Sequence, residues 1–78
     1  MTTPKLKIKK RQTLADQLYG QVLEQIVSNK LVQGEKLPSE NQIATAFGVS
    51  RPVVREALRK LQEDGLVEAR RGVGTFVR

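Results

Sequence analysis

Two short stretches of this 78-residue chain hold side chains whose types and spacing could do chemistry. The first is Ser50-Arg51-Pro52-Val53-Val54-Arg55, with Arg59 one helical turn further on. The second is Arg70-Arg71-Gly72-Val73-Gly74-Thr75. A guanidinium presents its N–H donors as a planar fork that matches phosphate, or the O6 and N7 acceptors of guanine. A valine beside it offers an apolar surface of the kind that meets the methyl group of thymine. Glycines next to arginines let a backbone approach a groove or a phosphate closely. A threonine hydroxyl and backbone N–H groups supply further donors.

This is chemistry of recognition. The chain has no His and no Cys. That removes disulfides, most zinc sites, Cys–His and Ser–His nucleophile pairs, and the readiest general base near neutral pH. It shows no paired-carboxylate pattern. Gly72-x-Gly74 lacks the strand-before, helix-after context of a nucleotide loop. The residues therefore predict a protein that is not an enzyme, with no cofactor and no metal.

Charge sharpens the picture. The net charge is +6, which favours a polyanionic partner. Lys5, Lys7, Lys9, Lys10 and Arg11 crowd the first 11 residues with no acid among them. The span 12–50 is net negative, and 51–78 is net positive. So the basic surface of the folded part gathers in its C-terminal third, where both arginine stretches lie. Residues 1–12 read as a flexible basic arm, either a solvated tail or a segment that tracks a groove. No apolar run is long enough to span a bilayer and no signal-peptide core is present, which predicts a cytoplasmic protein without a membrane partner; a DNA partner would make it nucleoid-associated.

Elements must position those arginines. Thr13 is a helix N-cap, with Asp16 three residues on in capping-box register. Leu14, Leu18, Val22 and Ile26 recur at steps of four, with Tyr19, Leu23 and Val27 in the next row. They predict a first helix to about Asn29. Gly20 weakens it, by roughly 1 kcal/mol relative to Ala, unless a neighbouring element approaches closely there. Gln33-Gly34-Glu35-Lys36 is a break. Ser39 caps a short second helix that Gly48 ends, and Ser50 caps a third that starts with Pro52 in its first turn and runs to about Asp64 before Gly65. Glu63 and Asp64 sit at the wrong end of that helix for its dipole. Residues 66–71 and 75–77 are β-prone and flank the glycines as a hairpin.

Ile43, Ala44 and Phe47 on the second helix, Gly48 and Val49 at the corner, and Val54 on the third have helix-turn-helix spacing. Stepping about 100° per residue from Val54 puts Ala57, Leu58 and Leu61 on one face and Pro52, Arg55, Glu56, Arg59 and Glu63 on the other. The expected core is Leu18, Val22, Ile26, Ile43, Phe47, Val54, Leu58 and Leu61. The third helix then projects its first turn into a major groove, where Arg51, Val53 and Arg55 meet base edges or phosphate. The bland alternative makes these arginines ordinary surface charges. Arg59 either touches a phosphate or pairs with Glu63 at i+4. Arg71, with Gly72, Gly74 and Thr75, reaches the minor groove or its phosphates.

Leu37-Pro38-Ser39-Glu40, Ser50-Arg51 with Val54-Arg55-Glu56-Ala57-Leu58, Gly65-Leu66-Val67, and Gly72-x-Gly74-Thr75-Phe76-Val77 together form a specific pattern. It resembles the GntR family of bacterial transcription regulators, over about residues 13–78. The run from Ser50 to Leu58 most resembles the FadR-type branch. The resemblance implies a mainly α fold with a small β-hairpin, a winged helix-turn-helix of three helices plus a two-stranded wing. It implies sequence-specific binding of double-stranded DNA, as a repressor sooner than an activator, with helix 51–64 in the major groove and wing 70–75 at the minor groove. Asn41, Ser50, Arg51, Pro52, Val53 and Arg55 would lie at the DNA, with Ser39 and Arg59 beside them and Arg71 and Gly72 as wing contacts. Members of that branch often carry Arg where this chain has Asn41, which weakens a phosphate contact there. Family members also carry a C-terminal effector domain, so the chain reads either as an excised DNA-binding domain whose full-length protein is a homodimer on a palindromic operator, or as a naturally short protein. The competing expectation is a winged-helix protein-interaction module, which requires an acidic or apolar outward face on the third helix.

Overall fold

The computed structural model describes residues 12–78. The expected basic arm, apart from Gln12, lies outside the described residues. The element order is α1 (Leu14–Val27), α2 (Glu40–Phe47), α3 (Arg51–Glu63), β1 (Val67–Arg70) and β2 (Gly74–Val77). No helix among the described residues is long and apolar enough to cross a membrane.

The first two helices start where a side chain can take over an unpaired backbone donor. Thr13 Oγ1 accepts from Asp16 N at 3.0 Å, and the Asp16 carboxylate accepts from Thr13 N at 3.1 Å. This reciprocal box satisfies two of the donors that a helix start leaves open. Ser39 and Gln42 repeat it at α2, at 3.1 and 2.9 Å. At α3 the expectation is corrected in part. Ser50 holds the N-cap position, but its side chain makes no capping hydrogen bond. Pro52 removes one of the donors a cap would have served. The turn between α2 and α3 bends through Gly48 at φ +66°, a conformation that side-chain-bearing residues adopt at a cost.

The core is aliphatic. Val54, Ala57 and Leu61 of α3 are completely buried. They meet Ala15, Leu18 and Val22 of α1, Ile43 of α2, Leu37, and Val67 and Val77 of the strands. Burying a Val or Leu side chain contributes about 1.5–3 kcal/mol, so α3 is the axle of the domain. Three expected core residues sit at its edge instead. Leu58 is half-buried because it lies about 40° past Val54, while the buried arc is centred on the Ala57 and Leu61 side. Ile26 is half-buried in the last turn of α1. Phe47 remains 38% exposed. It ends the short α2 and lines an open surface pocket with Leu14, Gln17 and Gln21 of α1. Gly20 corrects another expectation. Nothing stands within 4 Å of where its Cβ would be, so no close approach requires it.

The two strands pair antiparallel, Val67 with Val77 through Arg70 with Gly74. A third segment, taken from sequence only as a break, lines the other edge of β2. Lys36 bridges Phe76, Leu37 N donates to Thr75 O at 2.7 Å, Val77 N donates to Glu35 O at 2.9 Å, and Gly34 N donates to Val77 O at 2.8 Å. The acids at the end of α3 also find their reason. Glu63 pairs with Arg59 at 2.7 Å, and the Asp64 carboxylate accepts a hydrogen bond from the Tyr19 hydroxyl of α1.

Candidate nucleic-acid interface

The start of α3 stands clear of the core. Ser50, Arg51, Pro52 and Arg55 are exposed and Val53 is half-buried. The two arginines share one acid. Arg55 Nε lies 3.3 Å from Glu40 Oε1 and Arg51 Nε lies 3.9 Å from the same oxygen. Glu40 occupies the first position of α2, so the helix-turn-helix angle itself brings the three side chains together. All are substantially solvent-exposed, and pairs of this kind contribute about 0–1 kcal/mol. Their effect is to orient forks that remain available to a ligand.

Ser39 and Asn41 flank Glu40 on the exposed first turn of α2. The Ser39 hydroxyl already accepts from Gln42 N. Arg59 is exposed, and its guanidinium lies 2.7 Å from the Glu63 carboxylate at i+4. The outward face of α3 thus carries Arg51, Arg55 and Arg59 interleaved with Glu56 and Glu63. It is neither acidic nor apolar, which disfavours the protein-interaction alternative.

In the wing, Val73 N donates to Arg70 O at 2.9 Å and closes the hairpin turn. Arg70 is occupied within the sheet: its guanidinium sits 4.2 Å from the Phe76 ring centroid and 3.6 Å from Glu68. Arg71, Gly72 and Val73 are the exposed residues of the turn, with Gly72 at φ +74°. Gly74 and Thr75 are half-buried at the base. A single groove joins the two halves of the surface. Ser39, Gln42 and Leu58 line one side of it, and Val73, Gly74 and Thr75 the other.

Two residues of this surface were not singled out from sequence. Glu40 is 15 positions from Arg55, a separation with no periodic signal. Lys36 lies in the segment read as a break. On the opposite side of α3, Lys60 Nζ is 2.9 Å from Asp16 Oδ1. That hydrogen bond, reinforced by Thr13, holds the Asp16 carboxyl down at about 2.

Three helices, a glycine turn between the second and third, and an antiparallel hairpin beside them define a winged helix-turn-helix domain. The chain belongs to the gntR family of bacterial regulatory proteins, whose family model matches residues 14–77. Over 68 residues it is 43% identical to the HTH-type transcriptional regulator Mce2R of Mycobacterium tuberculosis, a match covering 87% of this chain and 28% of that protein. Over 65 residues it is 46% identical to the putative L-lactate dehydrogenase operon regulatory protein of Escherichia coli, covering 83% of this chain and 25% of that one. The chain therefore spans about a quarter of the length of these curated relatives. Its fold is similar to the crystal structure of AraR(DBD) in complex with operator ORX1, with a TM-score of 0.84 and 32% identity over 87% of this chain and 82% of that one.

Proposed function

We propose that this domain reads a double-stranded operator as the DNA-binding part of a bacterial transcription regulator, acting at the nucleoid and more in the manner of a repressor than an activator. α3 enters the major groove with Ser50, Arg51, Pro52, Val53 and Arg55 toward the bases. Ser39, Asn41 and Arg59 meet the flanking backbone. The wing, through Arg71, Gly72, Gly74 and Thr75, lies at the adjacent minor groove. The observation that carries this reading is the pair of exposed guanidiniums oriented by Glu40 at the outward start of α3. The likeness to an operator-bound domain supports it. The run Ser50 to Leu58 supports a place in the FadR-type branch.

A second domain would make the protein a homodimer, and a two-fold protein pairs with a palindromic site. Selecting duplexes from a random pool with the chain fused to a dimerising partner tests this. A palindromic consensus whose half-sites lose enrichment in Arg55→Ala is expected. No enrichment over the starting pool overturns the reading.

A further inference from the structure

We propose that Lys36 is a DNA-backbone contact, seated in the saddle between α3 and the wing, where it holds the phosphate strand that separates the two grooves. This rests on the reading of α3 and the wing as groove readers. In a duplex, a major groove and the minor groove beside it are divided by one sugar-phosphate strand. A domain that fills both must let that strand cross the surface between its two probes. Here that surface is the groove of Ser39, Gln42 and Leu58 facing Val73, Gly74 and Thr75, and Lys36 lines it.

Lys36 is held there by the sheet. Its backbone bridges Phe76, and the hydrogen bonds of Glu35 and Leu37 to Val77 and Thr75 fix it on both sides. Its stem lies across Gly74. A Cβ at Gly74 would stand 2.6 Å from Lys36 Cε and 3.5 Å from Nζ. Gly74, the first residue of β2, thus gives the lysine a seat. A free lysine loses rotamer entropy when it grips a ligand, and a seat reduces that loss.

Charge separates Lys36 from the cations of α3 and from Arg70 of β1. Among the described residues, Arg51, Arg55, Arg59, Lys60 and Arg70 each have a carboxylate within 4 Å, whereas Lys36 has none. The one acid lining the same groove, Glu40, is turned to Arg51 and Arg55. An unpaired ammonium is a compact point charge suited to phosphate and poorly suited to reading a base edge.

The test measures binding of the full chain to a selected operator duplex and to a scrambled duplex, over a salt series. Lys36→Gln keeps the stem and removes the charge, Lys36→Arg keeps the charge, and Arg55→Ala serves as the reader control. Lys36→Gln should melt like the parent and weaken both duplexes by the same factor. Its log–log salt slope should fall by about one, so its deficit relative to the parent shrinks about threefold to fourfold between about 50 and 200 mM salt. Lys36→Arg should keep the parental slope. An unchanged slope in Lys36→Gln, or a loss confined to the operator, overturns the proposal. If the parent binds neither duplex, the DNA reading itself fails and takes Lys36 with it. If only Arg55→Ala behaves as expected, the DNA reading stands and the Lys36 proposal falls.

Discussion

Glu40 and Arg55 stand 3.3 Å apart, carboxylate to guanidinium, across the turn that joins α2 to α3. Arg51 Nε stands 3.9 Å from the same oxygen. An acid at this point lowers the general attraction of the surface for phosphate while keeping two forks in a set direction. Glu40→Gln should therefore bind scrambled DNA more tightly and show a smaller operator-to-scrambled ratio. Its melting temperature should move little, because exposed pairs contribute about 0–1 kcal/mol. Parallel titrations on both duplexes with thermal melts check this; an undiminished ratio would mean that Glu40 does not orient the arginines.

Arg55 and Arg71 should fail differently. Loss of a bidentate contact to guanine costs about 1–3 kcal/mol and relaxes preference at that base pair. That is the expectation for Arg55→Ala. Arg71→Ala should weaken all sequences alike and lower the salt slope by about one. Both variants should stay within about 0.5 kcal/mol of the parent in stability. Identical losses on every duplex for Arg55→Ala would assign it to the backbone.

Leu61 and Leu58 separate core from rim. Leu61 is completely buried and Leu58 only half so. Leu61→Ala should cost about 2–5 kcal/mol, and Leu58→Ala distinctly less. Denaturant midpoints at equal slope give the comparison, and the reverse order would mean that α3 is rotated.

Gly20 offers a stabilising change. Its Cβ position is open and its φ is not positive, so alanine enters without strain. Gly20→Ala should raise stability by about 0.4–1 kcal/mol. A lower melting temperature would reveal a contact at this face that only glycine allows.

The Asp16–Lys60 bond links α1 to α3 and makes stability depend on acid. The Lys60 ammonium, with Thr13, lowers the Asp16 carboxyl from 3.8 to about 2. A carboxyl depressed on folding stabilises fully above its unfolded value, and that contribution is lost as pH falls from about 4 to about 2. Carboxyl-carbon chemical shifts should show Asp16 titrating near the lower value and rising in Lys60→Ala. A midpoint near 3.8 in the parent would mean that the bond does not persist in solution.

Element order and type were legible because their signals are local. Thr13, Ser39, Gly48, Gly65 and the Gly72–Gly74 turn each act on the few residues around them. The apolar faces of α1 and α3 followed from a rotation of about 100° per residue. What sequence could not supply was relations between distant segments. The edge formed by Glu35 to Leu37 has no alternation of its own and exists only because β2 is there to pair with it. Phe47 looked like core by type, but its burial depended on which residues of α1 faced it. Glu63 and Asp64 made sense only once Arg59 and Tyr19 were in place. At the site, the exposed residues of the α3 start were legible from caps and periodicity, whereas the Glu40 bridge depended on the angle between two helices.

The Gly34 to Leu37 edge has a mechanical consequence. A two-stranded hairpin alone is marginally stable in water, and a wing of that kind would open and close independently of the helices. Here β2 is hydrogen-bonded on both sides, and its inner partner leads directly into α2. The amides of Leu37 and Val77 should therefore exchange with solvent only when the helical core opens, as one cooperative unit with it. The hairpin then behaves as a rigid lever, so a lesion in the α1–α2 connection would be felt at Arg71, at the far end of the arm.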